Sequence, residues 1–186
     1  NLIILESTSP VGTTEAMAQW LAEERPDLTF PQSHGEASDI RLAHCPERVL
    51  PGKVMQELVS NDRVIGGMTQ RCADEAAALY RIFVRGDCLT ASSPRVAEMA
   101  KLTENSFRDV NIAFANELSL ICDNLDINVW ELIQLANRHP RVKILQPGPG
   151  VGGHCIAVDP WFIVSSAPEQ SQLIRTARIV NDGKPH

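Results

Sequence analysis

The sequence predicts an α/β segment followed by a mostly α-helical segment built around one long helix. Three observations predict this. The chain opens on Leu2-Ile3-Ile4-Leu5, a short apolar run followed by a turn and a helical pattern, which is half of an α/β unit. From Pro94 to about Leu125 no breaker interrupts a helical repeat. Further on, four of the eleven glycines, Gly148, Gly150, Gly152 and Gly153, fall within six residues just before Cys155.

Each element follows from local chemistry. Glu6-Ser7-Thr8-Ser9-Pro10-Val11-Gly12 reads as a turn. Thr13 or Thr14 then caps a helix to about Glu24, with Ala16, Trp20 and Leu21 on one stripe. Ile40 to Ala43 and Val64-Ile65 are strand candidates. A helix from about Arg71 to Phe83 places Ala73, Ala76, Ala77, Tyr80 and Val84 at helical spacing, and Asp87 to Thr90 is a short strand. Ser92-Ser93-Pro94 is a helix start, a Ser cap with Pro in first position. Val96, Met99, Ala100, Thr103, Phe107, Val110, Phe114, Leu118, Ile121 and Cys122 then recur at three and four. That length suggests a spine that joins two domains or packs against a second subunit. Asn128 caps a helix from Val129 to Arg138, ended by Pro140, and Glu169 to Val180 forms a last helix stopped by Asn181-Asp182-Gly183.

The chain has 186 residues, 44% hydrophobic and 22% charged, the range of globular proteins. A net charge of −6 argues against a general nucleic-acid binder but leaves room for an anionic small ligand in a local basic pocket. No apolar run approaches a membrane span and no signal-peptide pattern appears. Five cysteines without a disulfide-like cadence suggest the reducing cytoplasm, with at most one or two reactive. A buried strand at the first residue, without an initiating Met, is the mark expected of a piece of a longer protein.

The segment Gly148 to Pro160 packs a close-approach loop, a thiol and a carboxylate into thirteen residues. One helical turn starting near Cys155 would put Cys155 and Asp159 on one face, and its N-terminus would favour thiolate over thiol. The alternative is a Gly-rich surface turn followed by an inert, buried Cys. Lys101 and Asn105 lie four apart on the long helix, flanked by Glu98 and Arg108. An amine and an amide side by side can donate to one oxyanion; a solvated Lys and Asn are the bland reading. Cys45-Pro46-Glu47-Arg48 follows a strand, where a carboxylate suits general-base work, or Glu47 simply pairs with Arg48 at the surface. Ser7, Thr8 and Ser9 place three hydroxyls after a strand, where α/β sheets bind ligands. His44-Cys45 and His154-Cys155 lack metal-ligand spacing.

Five blocks in order resemble the nucleotide-sugar dehydrogenases that oxidise UDP-glucose, GDP-mannose and their relatives. They are Ser7 to Gly12, Cys45 to Arg48, Glu98 to Leu102 with Asn105, Asn116-Glu117, and Gly152-Gly153-His154-Cys155 with Asp159. Within the family, Gly150-Val151-Gly152-Gly153-His154-Cys155-Ile156-Ala157-Val158-Asp159-Pro160-Trp161 resembles the branch acting on UDP-N-acetylhexosamines. The resemblance implies two NAD-dependent oxidations of the C6 alcohol of UDP-N-acetyl-D-mannosamine to UDP-N-acetylmannosaminuronate, a precursor of surface polysaccharide. UDP-N-acetylglucosamine or UDP-glucose is the alternative substrate.

It also implies roles. Cys155 is the nucleophile, held as a thiohemiacetal and then a thioester. Lys101 and Asn105 stabilise the oxyanion, Asp159 positions Lys101 and water, Glu47 is the base for thioester hydrolysis, and Thr8 orients water. Ser7, Thr8 and Glu47 border the NAD site. Arg141 reaches the neighbouring subunit's sugar site, and Gly148, Gly150, Gly152, Gly153 and His154 lie against the nucleotide sugar. The implied fold is the last part of a Rossmann-like NAD-binding domain over 1–91, then a helical central domain over 92–186 that carries Cys155 and forms a homodimer through the long helix. The family's GxGxxG segment and its C-terminal UDP-binding domain have no counterpart here, so the expected state of the chain by itself is inactive: a helical dimerisation module.

Overall fold

The computed structural model describes residues 1–50 and 52–185. The chain divides into two compact units, Asn1–Lys101 and Leu102–His186. The first holds four short strands, β1 (Leu2–Leu5), β2 (Arg41–His44), β3 (Arg63–Gly67) and β4 (Cys88–Ala91), in one sheet of order β1-β2-β3-β4. β1 and β2 are parallel, with Leu2 beside Arg41 and Leu5 beside His44. β2 meets β3 antiparallel at Ala43–Gly67 and His44–Gly66, and β3 and β4 are parallel.

Both faces of β2 are covered. Ala43 joins a core of Ile65, Ala73, Ala76, Ala77, Tyr80 and Val84 under helix Gln70–Tyr80. Leu42, on the other face, joins Ala18, Phe30 and Ile40 under helix Thr13–Glu24. The first helix of the chain is α1 (Thr13–Glu24); α2 (Pro31–His34) and a 3₁₀ turn (Gly35–Ala37) follow, then α3 (Val54–Ser60) and α4 (Gln70–Tyr80).

Two details of α1 correct the sequence reading. Neither Thr13 nor Thr14 caps it. Gly12 is the N-cap, at φ 95° with no side-chain bond of its own, and the carboxylate of Glu98 takes the orphan donors. The buried stripe is Thr14 and Ala18, flanked by Met17, Leu21 and Ala22, whereas Trp20 is 60% exposed. The expected stripe of α4 is buried throughout, and Thr69 caps it by accepting from the Cys72 N–H at 3.2 Å.

The long helix α5 (Pro94–Asn124) starts where Ser93-Pro94 predicts and runs 31 residues. In the second unit follow α6 (Val129–Ala136), capped by Asn128 through the N–H groups of Trp130 and Glu131, then α7 (Asp159–Ser166) and α8 (Gln172–Gly183). α7 packs on α8 and buries Ile163 and Val164 beside Ala177. The sequence reading did not anticipate α7, and it stopped α8 three residues early at the Asn-Asp-Gly signal. The helix continues because Asn181 is 1% exposed and bonded to Asp109, and because Asp182 pairs with Arg178 one turn back. Among the described residues no helix is long and apolar enough to cross a membrane.

Candidate active site

In the first unit the parallel register of β1 and β2 sets two predicted segments side by side at the carboxyl edge of the sheet. The Cys45 N–H donates to the Leu5 carbonyl at 3.0 Å, and the Glu47 N–H donates to the Glu6 carbonyl at 3.1 Å. Ser7 is exposed, Thr8 is half-buried, and Ser9 is buried with its hydroxyl on the Ser7 carbonyl at 2.8 Å. Glu47 turns its carboxylate back on its own chain. Oε1 accepts from the N–H groups of Arg48 (2.6 Å) and Val49 (2.9 Å), and Nη1 of the buried Arg63 sits 3.4 Å from both oxygens. Arg63 thus provides a counter-charge for Glu47, and it also lies 5.5 Å above the Tyr80 ring. Sequence spacing had suggested Arg48 for the ionic role.

Glu98 organises the same unit in a way the sequence reading missed. Its side chain has no solvent exposure. Oε2 accepts the Gly12 N–H at 2.6 Å; Oε1 accepts the Thr14 N–H at 2.8 Å and the Thr14 hydroxyl at 2.7 Å. A carboxylate at a helix N-terminus satisfies donors and meets the positive end of the helix dipole. The loop from Ser7 to Gly12 is therefore tied to the first turns of α5, three residues before Lys101. Lys101 is half-buried.

In the second unit Asn105 is 4% exposed and donates from Nδ2 to Asp159 Oδ2 at 2.6 Å. Asp159 is itself 4% exposed and opens α7. Its backbone N–H reaches back to the Cys155 carbonyl at 2.9 Å, and the Val158 N–H reaches the same oxygen at 3.2 Å. Cys155 thus starts a hydrogen-bonded turn leading directly into α7, which agrees with the expected turn. Cys155 is also the exposed cysteine. Cys45, Cys72 and Cys122 are buried, Cys88 is half-buried, and all five are free thiols. Burial pushes the Cys45 thiol up to about 11, away from reactivity at neutral pH.

The glycines divide. Gly152, Gly153 and His154 are exposed, and side-chain space at Gly148, Gly152 and Gly153 is open. Gly150 sits at φ 105°, and a Cβ there would lie 2.5 Å from the Asn181 carbonyl oxygen. Packing against α8 thus requires a glycine at this position. Arg141 is exposed after α6, its N–H on His139 Nδ1 at 3.3 Å. Asp109, Arg178 and Asn181 are buried functional-looking polar residues that the sequence reading missed. Their signal was available on α5: Asn105, Asp109 and Asn116 recur at four and seven, a polar stripe within one helical face.

Comparison with known proteins shows the family. The UDP-glucose/GDP-mannose dehydrogenase family's NAD binding domain matches residues 1–84, and the family's central domain matches residues 95–183. All of the chain aligns at 75% identity with 44% of a UDP-N-acetyl-D-mannosamine dehydrogenase of Yersinia pestis. It aligns at 70% identity with 44% of an NDP-N-acetyl-D-galactosaminuronic acid dehydrogenase of Ralstonia nicotianae. A solved UDP-D-ManNAc dehydrogenase from Pyrococcus horikoshii superposes with TM-score 0.86 at 49% identity, over 99% of this chain and 42% of that one. The chain therefore spans less than half the length of the relatives it matches. Two successive domain matches covering nearly all of the sequence, on a fold shared with these enzymes, establish that the chain belongs to the UDP-glucose/GDP-mannose dehydrogenase family.

Proposed function

We propose that this chain is the catalytic core of an NAD-dependent UDP-N-acetyl-D-mannosamine 6-dehydrogenase that makes UDP-N-acetylmannosaminuronate for surface polysaccharide. The observation that carries this reading is the buried Asn105–Asp159 bond at 2.6 Å. It ties Asn105 of α5 to Asp159, whose N–H bonds the backbone carbonyl of the exposed Cys155, so within the second unit a fixed amide–carboxylate pair is anchored to the turn that begins at Cys155. Relatives at 70–75% identity named for N-acetylated nucleotide sugars support the substrate class.

NAD, when bound, supplies the acceptor for two hydrides. At the carboxyl edge of β1 and β2 this chain offers it a polar wall of Ser7, Thr8 and Glu47. The α1 N-terminus at that edge is filled by Glu98, so it does not fit a pyrophosphate; the phosphate cradle lies outside these residues. The chain's own residues handle carbon and protons. Cys155 Sγ adds to the C6 aldehyde, giving a thiohemiacetal whose oxygen is met by Lys101 and Asn105. Oxidation at that carbon leaves a thioester. Water, oriented by Thr8 and deprotonated by Glu47, splits the C–S bond and returns the thiol. Asp159 fixes the Asn105 amide and serves Lys101. Gly148, Gly152, Gly153 and His154 border the sugar nucleotide, and Arg141 reaches a neighbouring subunit's sugar.

We assign 1–91 to the end of the NAD domain and 92–186 to the central domain. A second copy covers the exposed apolar side chains of α5, Phe107, Phe114 and Ile121, together with Leu125 just after it and Leu173 of α8. The setting is the cytoplasm, consistent with five free thiols. The test is acid formation by a full-length enzyme carrying this sequence, assayed on UDP-N-acetylmannosamine, its gluco and galacto epimers and UDP-glucose. Cys155→Ala should abolish acid formation and keep nucleotide-sugar binding. Normal NADH production by that variant would remove Cys155 from the chemistry. The name borne by the Ralstonia relative favours a galacto-configured substrate as the second reading.

A further inference from the structure

The start of the glycine segment is fastened to two buried helices by a chain of amides with a fixed direction. Gly148 N–H donates to Asn116 Oδ1 at 2.9 Å. Asn116 Nδ2 donates to Asn181 Oδ1 at 2.8 Å. Asn181 Nδ2 donates to Asp109 Oδ1 at 2.8 Å and to the Asp109 carbonyl at 3.0 Å. Arg178 Nη1 closes the chain on Asp109 Oδ1 at 2.7 Å. Asn116, Asn181, Asp109 and Arg178 are all within 1% of full burial.

Both ends set the polarity. A backbone N–H only donates, and the Asp109 backbone carbonyl under Asn181 Nδ2 only accepts. Each carboxamide therefore has one allowed orientation, and buried amides cannot turn to water if the partner changes. Asn181 acts twice, because its backbone carbonyl also lies under Gly150, where a Cβ would come within 2.5 Å. Gly148 and Gly150 are thus held by side chain and backbone of one relay, five to seven residues before Cys155.

We propose that Asn116 and Asn181 are positioning residues that set where the glycine segment meets the nucleotide sugar. They touch no substrate; they act through Gly148 and Gly150. The inference rests on the reading that this segment borders the nucleotide sugar.

The experiment uses the full-length enzyme carrying this sequence, with two readouts. Asn116→Asp is isosteric and keeps an acceptor toward Gly148, but sets oxygen against Asn181 Oδ1. Its KM for the nucleotide sugar should rise about tenfold with kcat within about threefold, and hydrogen exchange at Gly148 and Gly150 should quicken about tenfold. A parent-like KM, or parent-like exchange, would overturn the proposal. Asn116→Ala removes the acceptor of the Gly148 N–H without burying a new charge, so it carries the test if the first variant does not fold. It should show the same KM split and faster exchange at Gly150, and parent-like values for both would again overturn the proposal. A parent enzyme without dehydrogenase activity would fail the functional reading instead, and the exchange data would still judge the relay.

Discussion

Asn105 and Asp159 are 54 residues apart in sequence and share a buried hydrogen bond of 2.6 Å. The bond joins α5 to the first residue of α7, and the Asp159 N–H joins that residue to the Cys155 carbonyl. Removing Asn105 takes a charge-assisted hydrogen bond away from a buried carboxylate. Asn105→Ala should therefore cost roughly 1.5–3 kcal/mol of stability. A double-mutant cycle with Asp159→Ala should return a coupling of about 1 kcal/mol or more. Additive losses in chemical denaturation would show that the two side chains act independently.

Lys101 lies one turn before Asn105 on α5 and is half-buried. In the proposed role of oxyanion donor it would be worth about 10²–10³ in rate. In the full-length enzyme Lys101→Ala should lower kcat by that factor and change KM far less. Lys101→Arg should recover little, because a planar guanidinium does not occupy the place of a compact ammonium. Wild-type kcat in either variant would end the oxyanion role.

Thiol chemistry should single out Cys155. A small alkylating reagent at neutral pH should label Cys155 first, identifiable by mass spectrometry, because Cys45, Cys72 and Cys122 are buried and Cys88 is half-buried. Cys45 adds a pH effect. Its folded pKa, about 11, exceeds its reference value of 9.0 because burial disfavours thiolate. The unfolded chain therefore loses its proton first, so stability is full below about pH 9 and declines toward pH 11. Cys45→Ala should flatten that alkaline decline relative to the parent. An unchanged slope would assign it to other groups.

Glu98 is a buried cap reaching from α5 to α1. Glu98→Ala strands the N–H groups of Gly12 and Thr14, and a loss of roughly 1.5–3 kcal/mol is expected. Glu98→Gln keeps acceptors but removes the charge facing the helix dipole, so it should fall between the two. Hydrogen exchange should quicken first over Ser7 to Thr14. A variant as stable as the parent would mean that water caps α1 equally well.

Gly150 and Gly148 should respond oppositely to alanine. At Gly150 a methyl meets a carbonyl oxygen at 2.5 Å with φ at 105°, and a loss of about 2 kcal/mol or more is expected. At Gly148 the space is open, so the thermal midpoint should hold within about a degree or rise slightly as unfolded-state entropy falls. Equal shifts in the two melting temperatures would refute this reading of Gly150.

Most elements were legible in the sequence because their signals are local. The apolar run of β1, the Ala stripe of α4, Ser93-Pro94 at the start of α5 and the Asn128 cap of α6 each act within a few residues. The turn from Cys155 to Asp159 was legible too, from a four-residue spacing. Four short elements were not: α2, the 3₁₀ turn, α3 and α7 are held by tertiary packing rather than by propensity.

What the sequence determined by itself is the class of fold and the family. What only the tertiary structure decided is which partner each polar side chain takes. The distant Arg63 supplies a counter-charge to the Glu47 carboxylate, Glu98 rather than a threonine caps α1, and Asp109 with Asn116 carries α8 through a sequence that reads as a stop. The reason is physical. Helical and strand periodicity repeat over a few residues and can be read along the chain. A buried hydrogen bond depends on which distant donor and acceptor are brought within 3 Å of each other in the absence of water, and no spacing in the sequence encodes that.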